Sequence, residues 1–372
     1  MKKFLCSIFV ITLVLSACTS SDEGGEGNGG DNFDRSAMLE NLADNIIIPA
    51  YQNFSADVTA LKNATSSFIA TTNEDNLNTL REAWADAYIS WQSVGMYEIG
   101  KAEELEFINF MNLYPVSISN IENNINTETY NLASAQLQDE QGFGALDYLI
   151  NGLADTDADI LAFYTGSTNG SKYRNYLTAL VERMNMLTNE VVTSWTNGYR
   201  DTFVNNGGSS VTSSVDKIAN DFIFYYEKHL RAGKIAIPAG VFATETFPEK
   251  VEAVYKGDFS KTLFNASLSA MQDFFNGKHF DSNTTGESFR TYLDFLNTIK
   301  GGEDLPKIIN DQFNTARTTA SGLNDNFSEQ VKSNNNLMLE TYNELQKNVV
   351  HIKVDMLQAL NIIVDFQDAD GD

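Results

Sequence analysis

The 372-residue sequence is poor in the side chains that many enzymes use for covalent or metal chemistry, with only two cysteines and three histidines. Cys6 lies inside an N-terminal apolar segment and Cys18 directly follows that segment. The remainder of the chain therefore has no cysteine for a disulfide, a catalytic thiolate or a sulfur-ligated metal. The histidines, His229, His279 and His351, form no H-E-x-x-H pattern. A zinc peptidase of that type is excluded at the level of motifs.

Basic residues are scarce as well. Lysine and arginine together number 25 against 50 acidic residues, which gives a formal net charge of −25. A surface of this sign repels nucleic acid and anionic lipid and favours cations or cationic partners, although solubility alone accounts for most such charge. The sequence also lacks a G-x-S-x-G nucleophile elbow and a P-loop spacing. These absences argue against a serine hydrolase, a nucleotide-binding enzyme and a nucleic-acid partner.

The N-terminus has the pattern of an export signal. Lys2 and Lys3 form a charged start, and residues 4–15 form an apolar run that is short for a bilayer span. The following Leu-Ser-Ala-Cys resembles the bacterial lipobox, so we predict a lipoprotein signal at 1–17 and a lipidated Cys18. An ordinary secretory signal with a chance cysteine is the alternative. Lipidation would anchor the protein to the outer membrane, facing the periplasm or the cell surface.

The residues that follow Cys18 are predicted to form a flexible tether over 18–32. The run Ser-Ser-Asp-Glu at 20–23 resembles the acidic signal that directs Bacteroidetes lipoproteins to the cell surface. The glycine-rich stretch GGEGNGGDN at 24–32 has no apolar residue with which to build a core. Folding is therefore expected to begin near Phe33.

Hydrophobic periodicity predicts an all-α fold. Apolar residues recur at steps of three and four over 173–191 and again over 338–363, and both seams are typical of helical bundles. Leu80, Trp84, Tyr88 and Trp91 form an aromatic stripe that is more typical of a core than of a pocket. Because no alternating strand pairs are found, we predict two four-helix-type bundles, with an N-terminal bundle over 33–160 and a C-terminal bundle over 161–372.

Several segments in order resemble the imelysin-like family, once described as insulin-cleaving membrane proteases. They are IIIPAYQNF at 46–54, LREAWADAYISWQSV at 80–94, NLYPVSISNIENNI at 112–125, YYEKHLRAGKIAIPAG at 225–240 and the terminal VDMLQALNIIVDFQDADGD. The resemblance covers most of the mature chain. It implies two helical bundles with a site where they meet, and an association with bacterial iron acquisition in the cell envelope.

The hallmark of that family is G-x-H-x-x-E, and the stretch QGFGALDYLING at 141–152 stands in its place. Gly142 keeps the first position, Gly144 replaces the histidine, and Asp147 replaces the glutamate. Residues three apart lie on one helical face, so the family pair could share a cation. Asp147 alone offers one hard oxygen ligand, which suits weak calcium or magnesium contact better than zinc or iron. If the backbone is helical, replacing Gly144 should stabilise it by up to about 1 kcal/mol.

Further candidates come from the resemblance and from spacing. The family's cleft between the bundles implies contributions from Trp84, Trp91, Asn112, Tyr114, Arg231 and Lys234. An anion contact by Arg231 and Lys234 is one interpretation, and ordinary helix-end capping is the other. His351 and Asp355 are four apart and could share a metal, although a pair at the edge of the core is favoured. The run DTDAD at 155–159 lacks the glycine and glutamate of a calcium loop and is interpreted as a turn or helix cap.

The resemblance and the altered motif together suggest an envelope-anchored, non-enzymatic lipoprotein. Its expected ligand is iron, another divalent cation, haem or an uptake-system protein. A metallopeptidase-like hydrolase is one alternative, but it needs a positioned base with a metal or nucleophile, which this motif does not supply. A glycan- or polymer-binding surface module that uses aromatic side chains in the cleft is the other, because a binding module needs only a shaped cleft.

Overall fold

The computed structural model describes residues 31–166 and 168–366. These residues are almost entirely helical, and the one two-stranded ribbon among them pairs Ile299–Lys300 (β1) with Glu303–Asp304 (β2) in antiparallel fashion. The all-α prediction is therefore confirmed. No helix in the described ranges has the length and apolar character needed to cross a membrane. The predicted signal, Cys18 and most of the tether lie outside the described residues.

The helices follow one another along the chain, with the longest irregular connections at 237–247 and 276–288. In chain order they are α1 Arg35–Asn41, α2 Ile48–Ala70, α3 Glu74–Trp91, α4 Lys101–Leu105, α5 Phe107–Asn112, α6 Ile118–Thr127, α7 Gly142–Asp147, α8 Asp157–Thr165, α9 Gly170–Ser194, α10 Arg200–Asn205, α11 Ser214–Phe224, α12 Ser260–Phe275, α13 Phe289–Phe295, α14 Leu305–Ala320, α15 Phe327–Val349 and α16 Leu357–Leu360. Wider π-helical turns occupy Leu42–Ile47, Tyr148–Gly152, Trp195–Tyr199, Tyr225–Ala236 and Val350–Met356, and 3₁₀ turns occupy Ala135–Glu140 and Pro248–Lys250.

Local sequence signals explain where several helices begin. Pro306 stands in the first turn of α14, where the missing N–H of proline leaves no helical bond unmade. Pro49 follows the π-helical turn Leu42–Ile47 without a break, and the carbonyl oxygen of Asn45, four residues before it, accepts the N–H of Phe280 instead. Asn73 accepts a hydrogen bond from the backbone N–H of Asn76 and so caps α3. Ser288 and Thr291 form a reciprocal capping box at the start of α13. The capping side chains satisfy N–H groups that a helix cannot satisfy by itself.

The first half of the chain is built around α2, which packs along both α3 and α9. The predicted seam over 173–191 is confirmed: Tyr173, Leu177, Leu180, Met184, Leu187 and Val191 are all buried on α9. Because α9 contacts both α2 and α8, helices on the two sides of the boundary predicted between residues 160 and 161 pack together. The division into two bundles at that boundary stays a prediction.

The second group comprises α12, α14, α15 and the π-helical segment 225–236, and α15 packs against α14 and this segment. Met338, Leu345, Val349, Ile352 and Met356 are buried, as the seam predicts. The prediction that one helix continues to Ile363 is wrong. The helix ends at Leu360, Asn361 adopts a left-handed conformation, and Ile363 is 70% exposed. Asparagine tolerates this conformation well enough to end a helix.

Two valines on one continuous helical run test the orientation of this seam. Val349 is buried, whereas Val354, in the following π-helical turn, is 54% exposed. Val349→Asp should place an unpaired carboxylate in the core and lower the free energy of unfolding by several kcal/mol, roughly 3–5. Val354→Asp, the matched control, should change it by less than about 0.5 kcal/mol. Urea unfolding of both variants measures this, and equal effects would contradict the assigned face.

Candidate functional site

The helix α7 begins at Gly142, and only glycine fits there. Gly142 has φ +74°, a region that side-chain-bearing residues rarely adopt. A Cβ atom on Gly142 would lie 2.3 Å from the carbonyl oxygen of Met111, at the end of α5. The first glycine of the altered motif therefore lets α7 pack directly against the backbone of a neighbouring helix.

At Gly144 the constraint is the space available for a side chain, not the backbone conformation. A Cβ atom there would lie 2.8 Å from Cγ1 of Val116 and 3.3 Å from the carbonyl oxygen of Leu113. The position where the resemblance places a histidine is thus already occupied by the 113–116 segment. An imidazole at residue 144 would have to displace that segment. These contacts oppose the expected stabilisation on replacing Gly144, because that expectation considered backbone entropy but not the neighbouring residues.

Asp147 is buried, at 1% exposure, and its carboxylate is bound within the protein. Oδ2 accepts the backbone N–H of Tyr255 at 2.9 Å, and Oδ1 accepts the N–H of Lys256 at 2.9 Å and the side-chain amide of Asn151 at 3.0 Å. The donors at 255 and 256 belong to the non-helical segment 251–257, which has no helical carbonyls to accept these bonds. Asp147 therefore attaches that segment to α7.

The surroundings of Asp147 set its charge state. Burial raises the pKa of Asp147 to about 6, although the three hydrogen bonds oppose the rise. Its oxygens already receive three donors from the protein, which leaves little room for a metal. Across residues 31–166 and 168–366, no three His, Cys, Asp or Glu side chains are grouped closely enough to hold a metal ion. The arrangement is suited to fixing backbone rather than to ligating a cation or moving a proton.

A second buried carboxylate, that of Glu252, connects the 251–257 segment to Asn112 in the first half of the chain and to Lys234 in the second half. Its Oε1 accepts the side-chain amide of Asn112 at 2.8 Å, and its Oε2 pairs with the ammonium of Lys234. Lys234 also donates to Oε1 of Gln92 at 2.9 Å, and Tyr88 donates to Oδ1 of Asn112 at 2.6 Å. Burial lowers the pKa of Lys234, while its pairing with Glu252 opposes that shift. Of the predicted cleft residues, this network brings together Asn112 and Lys234.

The two tryptophans predicted for the cleft are core residues instead. Trp84 is 0% exposed and donates its indole N–H to the carbonyl oxygen of Phe143 at 3.2 Å. Trp91 is 1% exposed and packs with its ring centroid 5.4 Å from that of Phe107. The stripe they share with Tyr88 faces inward, as its helical spacing suggests. The structure therefore removes both residues from any ligand-contacting surface.

Arg231 and Tyr114, the other two polar cleft candidates, have contacts of their own. Arg231 is buried, pairs with Glu227 and donates to Tyr342 and Gln346 of α15, so it ties α15 to the 225–236 segment. Tyr114 is half-buried, and its hydroxyl lies 3.1 Å from where a Cβ on Gly233 would be. The guanidinium of Arg231 thus pairs with Glu227, and the ammonium of Lys234 pairs with Glu252. Neither is placed as an exposed anion contact.

The remaining sequence candidates form local contacts. Nδ1 of His351 lies 3.2 Å from Oδ2 of Asp355. The ammonium of Lys300, in β1, contacts both side chains, so a lysine stands where a shared metal was considered. In the calcium-like run, Thr156 caps α8 by accepting the N–H of Asp159, and Asp157 pairs with Arg81 at 2.8 Å. The interpretations as a pair at the core edge and as a helix cap fit these contacts.

Sequence reasoning missed the residues that organise the site: Glu252, Gln92 and the backbone of 255–256. The segment 251–257 has no periodicity, so nothing in it marked Glu252 as buried. One weak signal existed. A lysine next to a glycine inside an apolar helical pattern, as at residues 233–234, requires a buried counter-charge, and few acidic residues outside predicted helices could provide it.

Comparison with known proteins agrees with this architecture. The imelysin family model, also described as peptidase M75, matches residues 47–352. An imelysin-like protein of Psychrobacter arcticum 273-4 superposes with a TM-score of 0.69 at 16% identity, over 90% of this chain and 97% of that one. A candidate iron-regulated protein A precursor of Parabacteroides distasonis ATCC 8503 superposes with a TM-score of 0.70 at 16% identity, over 89% and 97%. No curated protein matches significantly.

Removal of the Asp147 carboxylate tests its structural role. Asp147→Ala leaves buried donors at 255, 256 and Asn151 without an acceptor, so we expect a loss of roughly 3 kcal/mol in unfolding free energy. The folded pKa of Asp147 lies above its unfolded value, so protonation favours the folded wild type below about pH 6 and this contribution fades as the pH rises. The difference in unfolding free energy between wild type and Asp147→Ala should therefore increase as the pH is lowered from 7.5 to 4.5. Urea unfolding measures it, with the exposed Asp155→Ala as control, and a pH-independent deficit would refute the assigned pKa.

The contact at Gly144 is tested by adding one methyl group. Gly144→Ala should destabilise by about 1 kcal/mol, because its Cβ meets Val116, and Val116→Ala in the same chain should recover part of the loss. The control is Gly208→Ala, where no atom lies within 4 Å of the new Cβ and φ is ordinary. A double-mutant cycle in urea gives the coupling. Independent effects of residues 116 and 144 would show that the contact does not limit this position.

Proposed function

The chain belongs to the imelysin family, and on that premise we propose that it is a non-enzymatic binding component of the bacterial cell envelope that serves iron acquisition. Its ligand is haem, iron or a protein of the uptake system. A lipid on Cys18 and the tether over 18–32 hold the helical body at the outer membrane. Several acyl chains, as in bacterial lipoproteins, suffice for stable anchoring where a single chain is marginal.

The observation that carries the non-enzymatic part is the internal use of Asp147. A hydrolase needs a base, and a metal or nucleophile within reach of substrate. Here the acidic residue of the motif accepts three protein donors in a buried position, and the histidine position is closed by Val116. These contacts support a structural use of the motif helix. They also disfavour the metallopeptidase alternative, because the pair that would bind a metal or water is not available.

Support for the iron association comes from the family and from the designation of the Parabacteroides distasonis neighbour as a candidate iron-regulated protein. The described residues place no group of three acidic or imidazole side chains suited to a bare metal ion. Haem or an uptake-system protein is therefore a better ligand than a free iron ion. The glycan-binding alternative loses its main support, because Trp84 and Trp91 are enclosed in the core.

A deletion strain of the native host tests the proposal. Without the gene, growth should slow when iron or haem is limiting and be normal when iron is abundant, and the wild-type gene should restore it. Cys18→Ser should fail to restore growth and should leave the protein unprocessed or released. Cys6→Ser, a matched change within the signal, should behave as wild type. The purified protein should not cleave casein.

Two outcomes would count against the proposal. Equal growth of deletion and wild-type strains under iron limitation would remove the iron association. Casein cleavage that is inhibited by chelators and lost in Asp147→Ala would show a metallopeptidase, and the internal bonds of Asp147 would then have to open during catalysis.

A further inference from the structure

A groove of about 650 Å³ lies between the two groups of helices, on the side of α3 away from the Glu252 network. Three helical stretches each present one stripe of residues to it, spaced by about one turn. The stripes are Ile46, Ala50, Asn53 and Asp57 on the first, Asp86, Ile89, Ser90 and Ser93 on the second, and Ala266, Ser269, Ala270 and Asp273 on the third. Its volume falls within the range of small-molecule sites. Trp84, Tyr88 and Trp91 point from α3 in the other direction, so the groove is distinct from the motif region.

The lining of the groove carries an excess of negative charge. Four aspartates contribute to it, and they are Asp57, Asp86, Asp273 and Asp281. Lys278 is the single lysine or arginine among the lining residues, and it is paired with Asp273 at 2.9 Å. Asp57 has only the amide of Asn53 as a partner among the described side chains. Three carboxylates therefore face a groove that holds no protein cation for them.

Tyr97 gives an independent sign of a ligand. Its side chain is 2% exposed and lines the groove, with its ring packed 5.4 Å from that of Phe274. No described residue forms a hydrogen bond with its hydroxyl, and the hydroxyl oxygen is not among the enclosed unpaired polar atoms, so it is reached from the groove. A tyrosine held rigidly by aromatic neighbours, with its hydroxyl unused by the protein, is a polar group available to a molecule in the groove.

The rest of the lining combines apolar side chains with uncharged or weakly basic polar ones, which are Asn53, Ser90, Ser93, Ser269 and His279. Small side chains on all three stripes open the floor, and Ile89, Phe274 and Phe280 provide apolar surface. The loop that carries Phe280 is fixed by a backbone hydrogen bond from its N–H to the carbonyl oxygen of Asn45, at 2.8 Å. A groove with an apolar floor and carboxylates at its rim matches a molecule that has an apolar stem and charged ends.

We propose that this groove binds an organic cation, with ammonium or guanidinium groups on an aliphatic stem. The stem lies over the floor between Ala50 and Ala270, the charged groups pair with Asp86 and Asp281, and the Tyr97 hydroxyl accepts a further hydrogen bond. A free polyamine and a lysine-rich stretch of a partner protein share this chemistry. An inorganic cation fits less well, because no three of the described carboxylates converge. The inference does not depend on the proposed role in iron acquisition.

Calorimetric titration of the full mature protein tests the site with three probes: spermidine, a blocked Lys-Leu-Lys peptide and neutral 1,8-octanediol. Spermidine should bind and octanediol should not. Asp86→Asn combined with Asp281→Asn should weaken spermidine binding about tenfold or more, because each removes a charge-assisted hydrogen bond. Tyr97→Phe should weaken it several-fold while leaving thermal stability unchanged, since the hydroxyl has no protein partner. Glu82→Gln, one turn from Asp86 on α3 but outside the groove, is the matched control and should bind as wild type.

The source of the cation follows from the peptide arm. Binding of spermidine alone identifies a free amine, and binding of the peptide alone identifies a basic segment of a partner; either supports the site. The proposal is overturned if neither probe binds at millimolar concentration, or if the Asp86 and Asp281 changes weaken binding no more than Glu82→Gln. A competition experiment gives one more contrary outcome. The proposal is overturned if Mg²⁺ displaces spermidine as effectively as a spermidine analogue in Na⁺ does at the same ionic strength, because that result shows only diffuse charge attraction.

Discussion

The two halves of the molecule are joined by two buried carboxylates that act in opposite directions across one short segment. Asp147 reaches from α7 to the backbone N–H groups of residues 255 and 256, and Glu252 reaches from that segment to Asn112 and Lys234. Burying a carboxylate is costly unless it receives donors, and an irregular backbone needs acceptors. Here the backbone N–H groups of residues 255 and 256 supply the donors that Asp147 needs, and Asp147 supplies the acceptors that they need. This exchange fixes the segment that leads into α12, and α12 packs beside α3.

The sequence predicted the helices better than it predicted their use. The seam on α9 and most of the seam on α15 follow from spacing alone, because a helix buries one face regardless of its partner. The end at Asn361 was missed because a left-handed residue interrupts a periodicity that the apolar side chains continue. The grouping of α9 with α2 was missed for another reason. Periodicity shows that a face is buried but not which helix covers it.

The candidate site shows the same limit more strongly. The glycine at 144 and the aspartate at 147 were evident in the sequence, but their structural partners were not. Two of the actual partners of Asp147 are backbone N–H groups more than a hundred residues away along the chain. Almost every residue type carries a backbone N–H, so the sequence does not show which ones Asp147 binds. Similarly, Lys234 was recognised as unusual, but its counter-ion Glu252 lies in a segment without a pattern. Tertiary pairing of isolated residues is the information that a single sequence lacks.

Residues 144 and 147 of α7 meet different structural demands. A side chain at residue 144 and Val116 compete for the same space, so an imidazole there requires a smaller or displaced residue at 116. The carboxylate at 147 has a separate duty, because three donors depend on it whether or not a metal is bound. Replacing Asp147 would therefore release the 251–257 segment, whereas residue 144 has no side chain on which other groups depend. The acidic residue of this stretch thus serves the stability of the fold, whatever the motif does in related proteins.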